Sequence, residues 1–256
     1  MSATGRGSDY AENGVYLTPA PLARFLIGLV PFLDTPTLVL EPSVGSGAFV
    51  EALLERERRT RVYHRYQAID IDPMSKGLDL VREEGGWSAV GDFLTAALPV
   101  RPGAIVGNPP FAIPQPARPC VTCAGLGRRT SPRKIAGWEF DPIPAKWTRT
   151  CQKCEGVGRI TPAPIPVAEK HMRRCLDVVA PGGHVALLLR LAMLEGTERR
   201  EFWLQHPARK VWPLSRRPSF TGSGSDATAY GWFWWTNGYT GPSELGAPVD
   251  WETPSP

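Results

Sequence analysis

Along most of this chain, short apolar runs alternate with stretches whose apolar residues recur at helical spacing, a pattern that points to a layered α/β architecture. Strands are expected at residues 37–40, 66–71, 87–90, 104–107, 184–189, 210–214 and 229–235. Helices are expected at 19–32, 48–58, 75–83, 167–179 and 194–205. Leu22, Phe25, Leu26 and Leu29 share one face of the first helix, and Met172, Cys175, Leu176 and Val179 one face of the fourth. The run from His184 to Leu189 (HVALLL) is apolar after its first residue, as in a strand covered on both faces. Strands alternating with helices predict a mostly parallel sheet of seven strands with helices on both sides. The residues from Thr240 onward are rich in proline and glycine and are expected to fray.

Composition removes several classes. With 42% hydrophobic and 21% charged residues, the chain can bury a sizeable core and is not a disordered protein. No apolar run reaches the roughly 18 residues of a membrane span, since Pro31 and Arg190 interrupt the longest candidates. Residues 1–13 are small and polar without the apolar stretch of a secretory leader, so a cytoplasmic protein is expected. Its five cysteines then read as thiols or metal ligands rather than a disulfide framework. Charge is uneven. Residues 112–166 hold nine basic and three acidic residues, a local +6, while the other 201 residues carry −2 within a total of +4. The expected division is 1–111 and 167–239 as two parts of one core, 112–166 as a basic insertion, and 240–256 as a tail.

Glu41-Pro42-Ser43-Val44-Gly45-Ser46-Gly47 joins the first expected strand to a helix. Two glycines there let a ligand approach the backbone, at the strand ends where open α/β sheets bind ligands. The turn lacks the spacing of a dinucleotide fingerprint and the lysine of a phosphate loop. Glu41 would repel phosphate and suits a cationic or zwitterionic ligand. The next strand ends in Asp70 and Asp72, and the third leads into Asp92-Phe93. An acid at the second strand end suits ribose hydroxyls. Asp92 suits a ring amino group, with Phe93 stacking on the ring.

The fourth strand enters Asn108-Pro109-Pro110-Phe111, whose two prolines impose an extended, rigid backbone. The chain here resembles the amino-methylating class I S-adenosylmethionine-dependent methyltransferases, whose hallmark is (N/D/S)PP(Y/F). Residues 41–49 resemble that family's cofactor loop, Asp70 its ribose-binding acid, and Asp92-Phe93 its adenine-contacting pair. Tyr16-Leu17-Thr18-Pro19 is similar to the (Y/F)xTP element of DNA adenine methyltransferases, which closes over the methionine end of the cofactor. Ala180-Pro181-Gly182-Gly183-His184-Val185 is similar to the family's helix-to-strand turn, and Arg217-Pro218-Ser219-Phe220 to its late loop near the target base. The resemblance covers most of residues 14–236 apart from the insertion. It implies a Rossmann-like class I methyltransferase fold and S-adenosyl-L-methionine as cofactor. Tyr16, Thr18, Pro19, Glu41, Pro42, Gly45, Gly47, Asp70, Asp72, Asp92, Phe93 and Asn108 would bind it. Asn108, Pro109, Pro110 and Phe111 would be catalytic.

Within the insertion, Cys120-Val121-Thr122-Cys123-Ala124-Gly125-Leu126-Gly127-Arg128 is repeated as Cys151-Gln152-Lys153-Cys154-Glu155-Gly156-Val157-Gly158-Arg159. Cys120, Cys123, Cys151 and Cys154 form two CxxC knuckles, and four thiolates satisfy one tetrahedral, structural Zn²⁺. The half-sites resemble the CxxCxGxG repeats of DnaJ chaperones. Cys175 reads as a core residue. Arg128, Arg129, Arg133, Lys134, Lys146 and Arg149 stand among Trp138 and Trp147, a mixture suited to phosphate contacts and base stacking. At least one of these aromatics is as well explained by the insertion's own small core.

The expected activity is methyl transfer to the exocyclic N6 of adenine in DNA, on a base extruded from the helix. RNA methylation (guanine-N2 or adenine-N6) and protein-glutamine methylation are the enzymatic alternatives. A zinc-dependent nucleic-acid-binding module with an inactive core is the alternative of another class. The expected partner is DNA, with RNA second and no membrane; a monomer is slightly favoured.

Overall fold

A computed structural model describes residues 17–113, 117–130, 148–160, 165–220 and 227–252. The chain divides into two compact units, Met1–Ala112 with Pro166–Pro256, and Ile113–Ile165.

The larger unit is a covered sheet. Its strands are β1 (Leu38–Glu41), β2 (Arg65–Asp70), β3 (Trp87–Val90), β4 (Ala104–Gly107), β5 (His184–Arg190), β6 (Lys210–Pro213), β7 (Tyr230–Thr236) and β8 (Glu244–Leu245). They lie in the order β8-β6-β7-β5-β4-β1-β2-β3. All neighbours pair in parallel except β7, which runs antiparallel to both β5 and β6. The parallel register brings the C-terminal ends of β1, β2 and β4 side by side: Glu41 pairs with Ala68, and Leu40 with Ile105. Val185 to Leu189 are fully buried, so β5 has no solvent face, as its uninterrupted apolar run requires.

Helices α1 (Ala20–Gly28), α2 (Ala48–Thr60), α3 (Lys76–Glu83), α4 (Ala168–Val178) and α5 (Arg200–Gln205) cover the sheet. β7 shows how both faces are filled. Trp232 stacks on Phe49 of α2 at 5.6 Å, while Trp235 stacks on Trp203 of α5 at 5.9 Å. Side chains two apart point to one face and adjacent ones to opposite faces, so the aromatic run YGWFWWT serves both. No helix among the described residues is long and apolar enough to cross a membrane.

Four local expectations change. The first helix stops at Gly28, because Val30, extended at ψ 114°, precedes Pro31. The expected helix 194–205 is instead 3₁₀ turns at Leu191–Leu194 and Thr197–Arg199, with α5 beginning at Arg200. Gly196 sits there at φ +99°, and the Arg199 guanidinium donates to the carbonyls of Ala192 and Glu195, holding the turn open. Residues 240–252 do not fray: Glu244–Leu245 extends the sheet to eight strands against Lys210 and Val211, and Val249 bridges Leu214. Trp251 packs against the core.

The smaller unit is built on its repeat. Arg118–Pro119 pairs with Arg159–Ile160, and Arg128–Thr130 with Thr148–Thr150, both antiparallel. Its buried cluster among the described residues is the four cysteines with Ile160 packed against them.

Candidate functional site

The site begins at the turn after β1. Gly45 and Gly47 take φ values of +50° and +86°, in the left-handed region that glycine adopts without strain. The turn is held from behind by four hydrogen bonds. Val44 N–H donates to the Ile69 carbonyl (3.1 Å) and Gly45 N–H to Asp70 Oδ2 (2.6 Å). The Ser75 hydroxyl (2.6 Å) and Gly77 N–H (3.0 Å) donate to the Gly45 carbonyl. A Cβ on Gly77 would lie 2.4 Å from Val44 Cγ2 and 3.0 Å from the Gly47 backbone. Sequence reasoning passed over Gly77. Its signal was a glycine in the first turn of a helix, where alanine is the better helix former.

The acids at the strand ends do local work as well. Asp70 accepts from Gly45 N–H and, through Oδ1, from Asp72 N–H at 2.9 Å, so it braces the glycine turn while keeping lone pairs for a ligand. Asp72 and Asp92 are exposed and accept from Met74 and Leu94 N–H at 2.9 Å. Phe93 is buried in the core, its ring 5.8 Å from that of His171. Among the exposed apolar side chains at this edge is Ile71, 72% accessible between Asp70 and Asp72. An exposed isoleucine between two strand-end acids was the missed signal for a surface able to cover a flat ring.

Glu41 is 4% exposed, and its Oε2 has no hydrogen-bond partner. Burial, reinforced by the nearby Asp70 charge and opposed by a backbone hydrogen bond from Val50, raises its carboxyl well above the usual range. A buried acid with a free oxygen beside a glycine turn fits a ligand that brings positive charge.

β4 runs into Asn108, Pro109, Pro110 and Phe111. Asn108 is 9% exposed; its Nδ2 donates to the Thr18 hydroxyl at 3.1 Å, while its buried Oδ1 has no partner. Thr18 thus orients the amide so that an acceptor remains in a dry place. Leu17 brings the same segment to the glycine turn, its Cδ2 3.9 Å from where a Cβ on Gly45 would stand. Phe111 is buried with Tyr230 at 5.4 Å and Phe220 at 6.0 Å, and the Arg190 guanidinium lies 4.8 Å from its ring centre. The structure therefore joins the glycine turn, Asp70, Thr18, Asn108 and the loop ending at Phe220; Tyr230 comes from a strand read only as core, and Arg190 from the position just after the expected strand 184–189. Tyr16 lies outside the described residues.

In the smaller unit the four cysteine sulfurs lie within 4.8 Å of one another. Cys120 and Cys151 Sγ are 3.8 Å apart, and Cys123 and Cys154 Sγ 3.7 Å. Zn–S bonds of about 2.3 Å in a tetrahedron place sulfurs about 3.8 Å apart, so the donor set fits zinc. The repeat has a structural reason. Cys120 N–H donates to the Gly158 carbonyl and Cys151 N–H to the Gly127 carbonyl, so each knuckle is closed by the other's last glycine. A Cβ on Gly127 would lie 2.1 Å from the Gly156 oxygen, and one on Gly158 2.2 Å from the Gly125 oxygen. Gly158 N–H also points to Cys154 Sγ at 3.3 Å. Cys175 belongs to the buried core of the larger unit, and burial pushes its thiol up.

Of the basic residues singled out, Arg128 and Arg149 are exposed on the paired strands, Arg129 lies opposite Arg149 in the register, and Arg133, Lys134, Trp138, Lys146 and Trp147 fall outside the described residues. Arg149 and Lys153 line a shallow cavity of about 580 Å³ with Thr122, Thr150 and Gln152. Lys153 was not among the candidates.

No family model matches the sequence, and no curated protein matches it. Solved structures do. A protein from Listeria monocytogenes described as a class I S-adenosylmethionine-dependent methyltransferase superposes with TM-score 0.58 at 12% identity, over 91% of this chain and 65% of that one. A type I restriction-modification methyltransferase subunit from Streptococcus thermophilus gives TM-score 0.56 at 14% identity, over 98% and 53%. The M protein of the EcoKI type I restriction enzyme gives 0.53 at 17%, over 88% and 44%. The chain has the Rossmann-like class I methyltransferase fold. It spans between 44% and 65% of the length of these three proteins, and the likeness at such identities is one of fold.

Proposed function

We propose that this class I methyltransferase fold transfers a methyl group from S-adenosylmethionine to the exocyclic N6 of adenine in DNA. The observation that supports this most directly is the buried Asn108 Oδ1, without a partner and oriented by Thr18, at the end of β4 beside the glycine turn. An exocyclic amine is a weak nucleophile because its lone pair is delocalised into the ring. Asn108 Oδ1 and the Pro109 carbonyl would accept its two N–H bonds and favour a pyramidal nitrogen with a localised pair. Pro109 and Pro110 hold those acceptors on a stiff backbone, so that orientation is set before the amine arrives. Phe111 would stack on the extruded base.

S-adenosylmethionine supplies a sulfonium: the N6–carbon bond forms, the carbon–sulfur bond breaks with its electron pair left on sulfur, and nitrogen releases a proton to water. Glu41, Pro42, Gly45 and Gly47 would hold its amino-acid end with Thr18 and Pro19, Asp70 and Asp72 its ribose, and Asp92 its adenine amine, with Ile71 against the ring. Two of the three solved structures above are restriction-modification methyltransferases, which supports DNA over RNA or protein as substrate. The insertion, which follows Phe111 in the chain, would hold one Zn²⁺ on its four thiolates and provide target recognition within a cytoplasmic enzyme. Incubation with labelled S-adenosylmethionine and DNA, RNA or protein, followed by nucleoside and amino-acid analysis, tests the reading; label in any product other than N6-methyladenine overturns it.

Two further outcomes follow. Glu41 takes up its proton more readily folded than unfolded, so its contribution to stability declines as pH rises from the ordinary carboxylate range through its raised pKa. A cation beside the ionised form offsets that loss. Glu41→Gln should therefore raise the melting temperature of the free protein at neutral pH. It should also weaken S-adenosylmethionine binding by about tenfold or more, the size of one charge-assisted hydrogen bond. Wild-type affinity should tighten as pH rises through the same range and the variant's should not; calorimetry across pH reads both. Separately, replacing Arg128, Arg149 and Lys153 with glutamine should weaken DNA binding regardless of sequence. The slope of log affinity against log salt should flatten by about 0.9 for each phosphate that is no longer neutralised. Unchanged binding would move recognition elsewhere.

A further inference from the structure

We infer that the cleft beside Phe111 is a site for a single phosphodiester of the strand flanking the target base, with Arg190 as the positioning residue that clamps it. The inference rests on the nucleic-acid reading above and concerns residues which that reading leaves without a role.

The cleft, about 760 Å³, lies within the larger unit; Phe111, Lys170, Arg173, Arg190, Met193 and Arg199 are among its walls. Its cations differ in their partners. Glu169 accepts from Arg173 at 2.9 Å and from Arg199 at 3.0 Å, so those two guanidinium groups are already neutralised in part. Neither Arg190 nor Lys170 has an acidic partner among the described residues, and Arg190 Nε is buried with no hydrogen bond. A guanidinium presents five N–H donors in a planar fork, and a buried donor such as this Nε, on a half-buried side chain, is desolvated without a hydrogen bond to compensate. An anion in the cleft would supply it.

The charge and shape narrow the ligand. Four basic side chains and three acidic ones (Glu169, Glu195 and Glu198) line the space, leaving one net positive charge, which suits a monoanion rather than a run of phosphates. Arg190 stands where β5 leaves the core, with its guanidinium over the Phe111 ring. A base held at Phe111 has its own phosphodiesters one sugar away, within reach of the same side chain. Arg190 would thus fix two things together: the orientation of the Phe111 ring, through the cation–π contact, and the backbone of the extruded nucleotide, through a bidentate hydrogen bond.

The test crosses two changes. Wild type, Arg190→Ala and Arg190→Lys are titrated with oligonucleotide duplexes whose linkage beside the target adenine is either a normal phosphodiester or an uncharged methylphosphonate. Methylation of the same duplexes is measured alongside. Wild-type affinity should fall about tenfold on the neutral linkage. Arg190→Ala should lose about as much on normal DNA and nothing further on the methylphosphonate. Arg190→Lys, which keeps the charge but not the fork, should fall between them, with cofactor affinity equal in all three. Losses that add, or an alanine variant that binds normal DNA like wild type, overturn the assignment. Arg190–phosphate coupling without methylation of adenine would refute the DNA adenine reading and leave the cleft standing. Methylation without coupling would refute the cleft alone.

Discussion

Asn108→Ala should reduce methyl transfer by about 10²–10³-fold or more while leaving S-adenosylmethionine affinity nearly unchanged. The reason is geometric. Asn108 sits at the end of β4 with its Nδ2 on Thr18 and its Oδ1 buried and unpaired, so the side chain is set to accept from an incoming N–H. The glycine turn and Asp70 lie on β1 and β2 and are braced by Ser75 and Gly77, so the cofactor cradle does not depend on that amide. Asn108→Asp keeps an acceptor and should retain more activity than alanine. Single-turnover rates with excess enzyme, beside calorimetric cofactor binding, separate the two roles. Turnover close to wild type in the alanine variant would sink the catalytic assignment, and loss of cofactor binding would make Asn108 a cradle residue instead.

Metal analysis should find about one zinc per chain, because four sulfurs in a tetrahedral cluster satisfy one ion. Cys123→Ser or a strong chelator should remove it. The consequence should be large but local. A structural zinc contributes an apparent ~10–16 kcal/mol in small domains whose folding it drives. Here the described buried cluster of the insertion is the cysteines themselves with Ile160 beside them. Protease should then cut within 113–165, while the larger unit, with its own aromatic and aliphatic core, should keep its melting transition and its cofactor affinity. A metal-free wild type of equal protease resistance would refute the zinc site. Loss of the larger unit's transition in Cys123→Ser would refute the independence of the two units.

Periodicity was a good guide where one element decides its own structure. β5 is fully apolar and buried along its middle, α2 follows directly on Gly47, and the CxxCxGxG repeat brings its four sulfurs together. It failed where a distant or later residue intervenes. The stretch after β5 has helical spacing, but Gly196 and the Arg199 hydrogen bonds to Ala192 and Glu195 break it into 3₁₀ turns. The last strand was missed because two residues of a polar, proline-rich tail pair with the edge strand at Lys210, a long-range contact without local pattern.

Within the candidate site the same division holds. Residue types and strand-end positions of Glu41, Asp70 and Asn108 are written in the chain, because a parallel sheet places consecutive strand ends on one edge. So is the metal-ligand spacing. Only the tertiary structure decided that Glu41 and Asn108 each keep an unpaired buried oxygen, that Thr18 orients the amide, and that Gly77 supports the turn from another helix. It also set Arg190 over Phe111 with Phe220 and Tyr230 beside it. Burial and hydrogen-bond satisfaction are properties of packed neighbours, and those neighbours come from segments far apart in the chain. The chain by itself therefore names the chemical groups, and folding determines which of them are left with nothing to bind but a ligand.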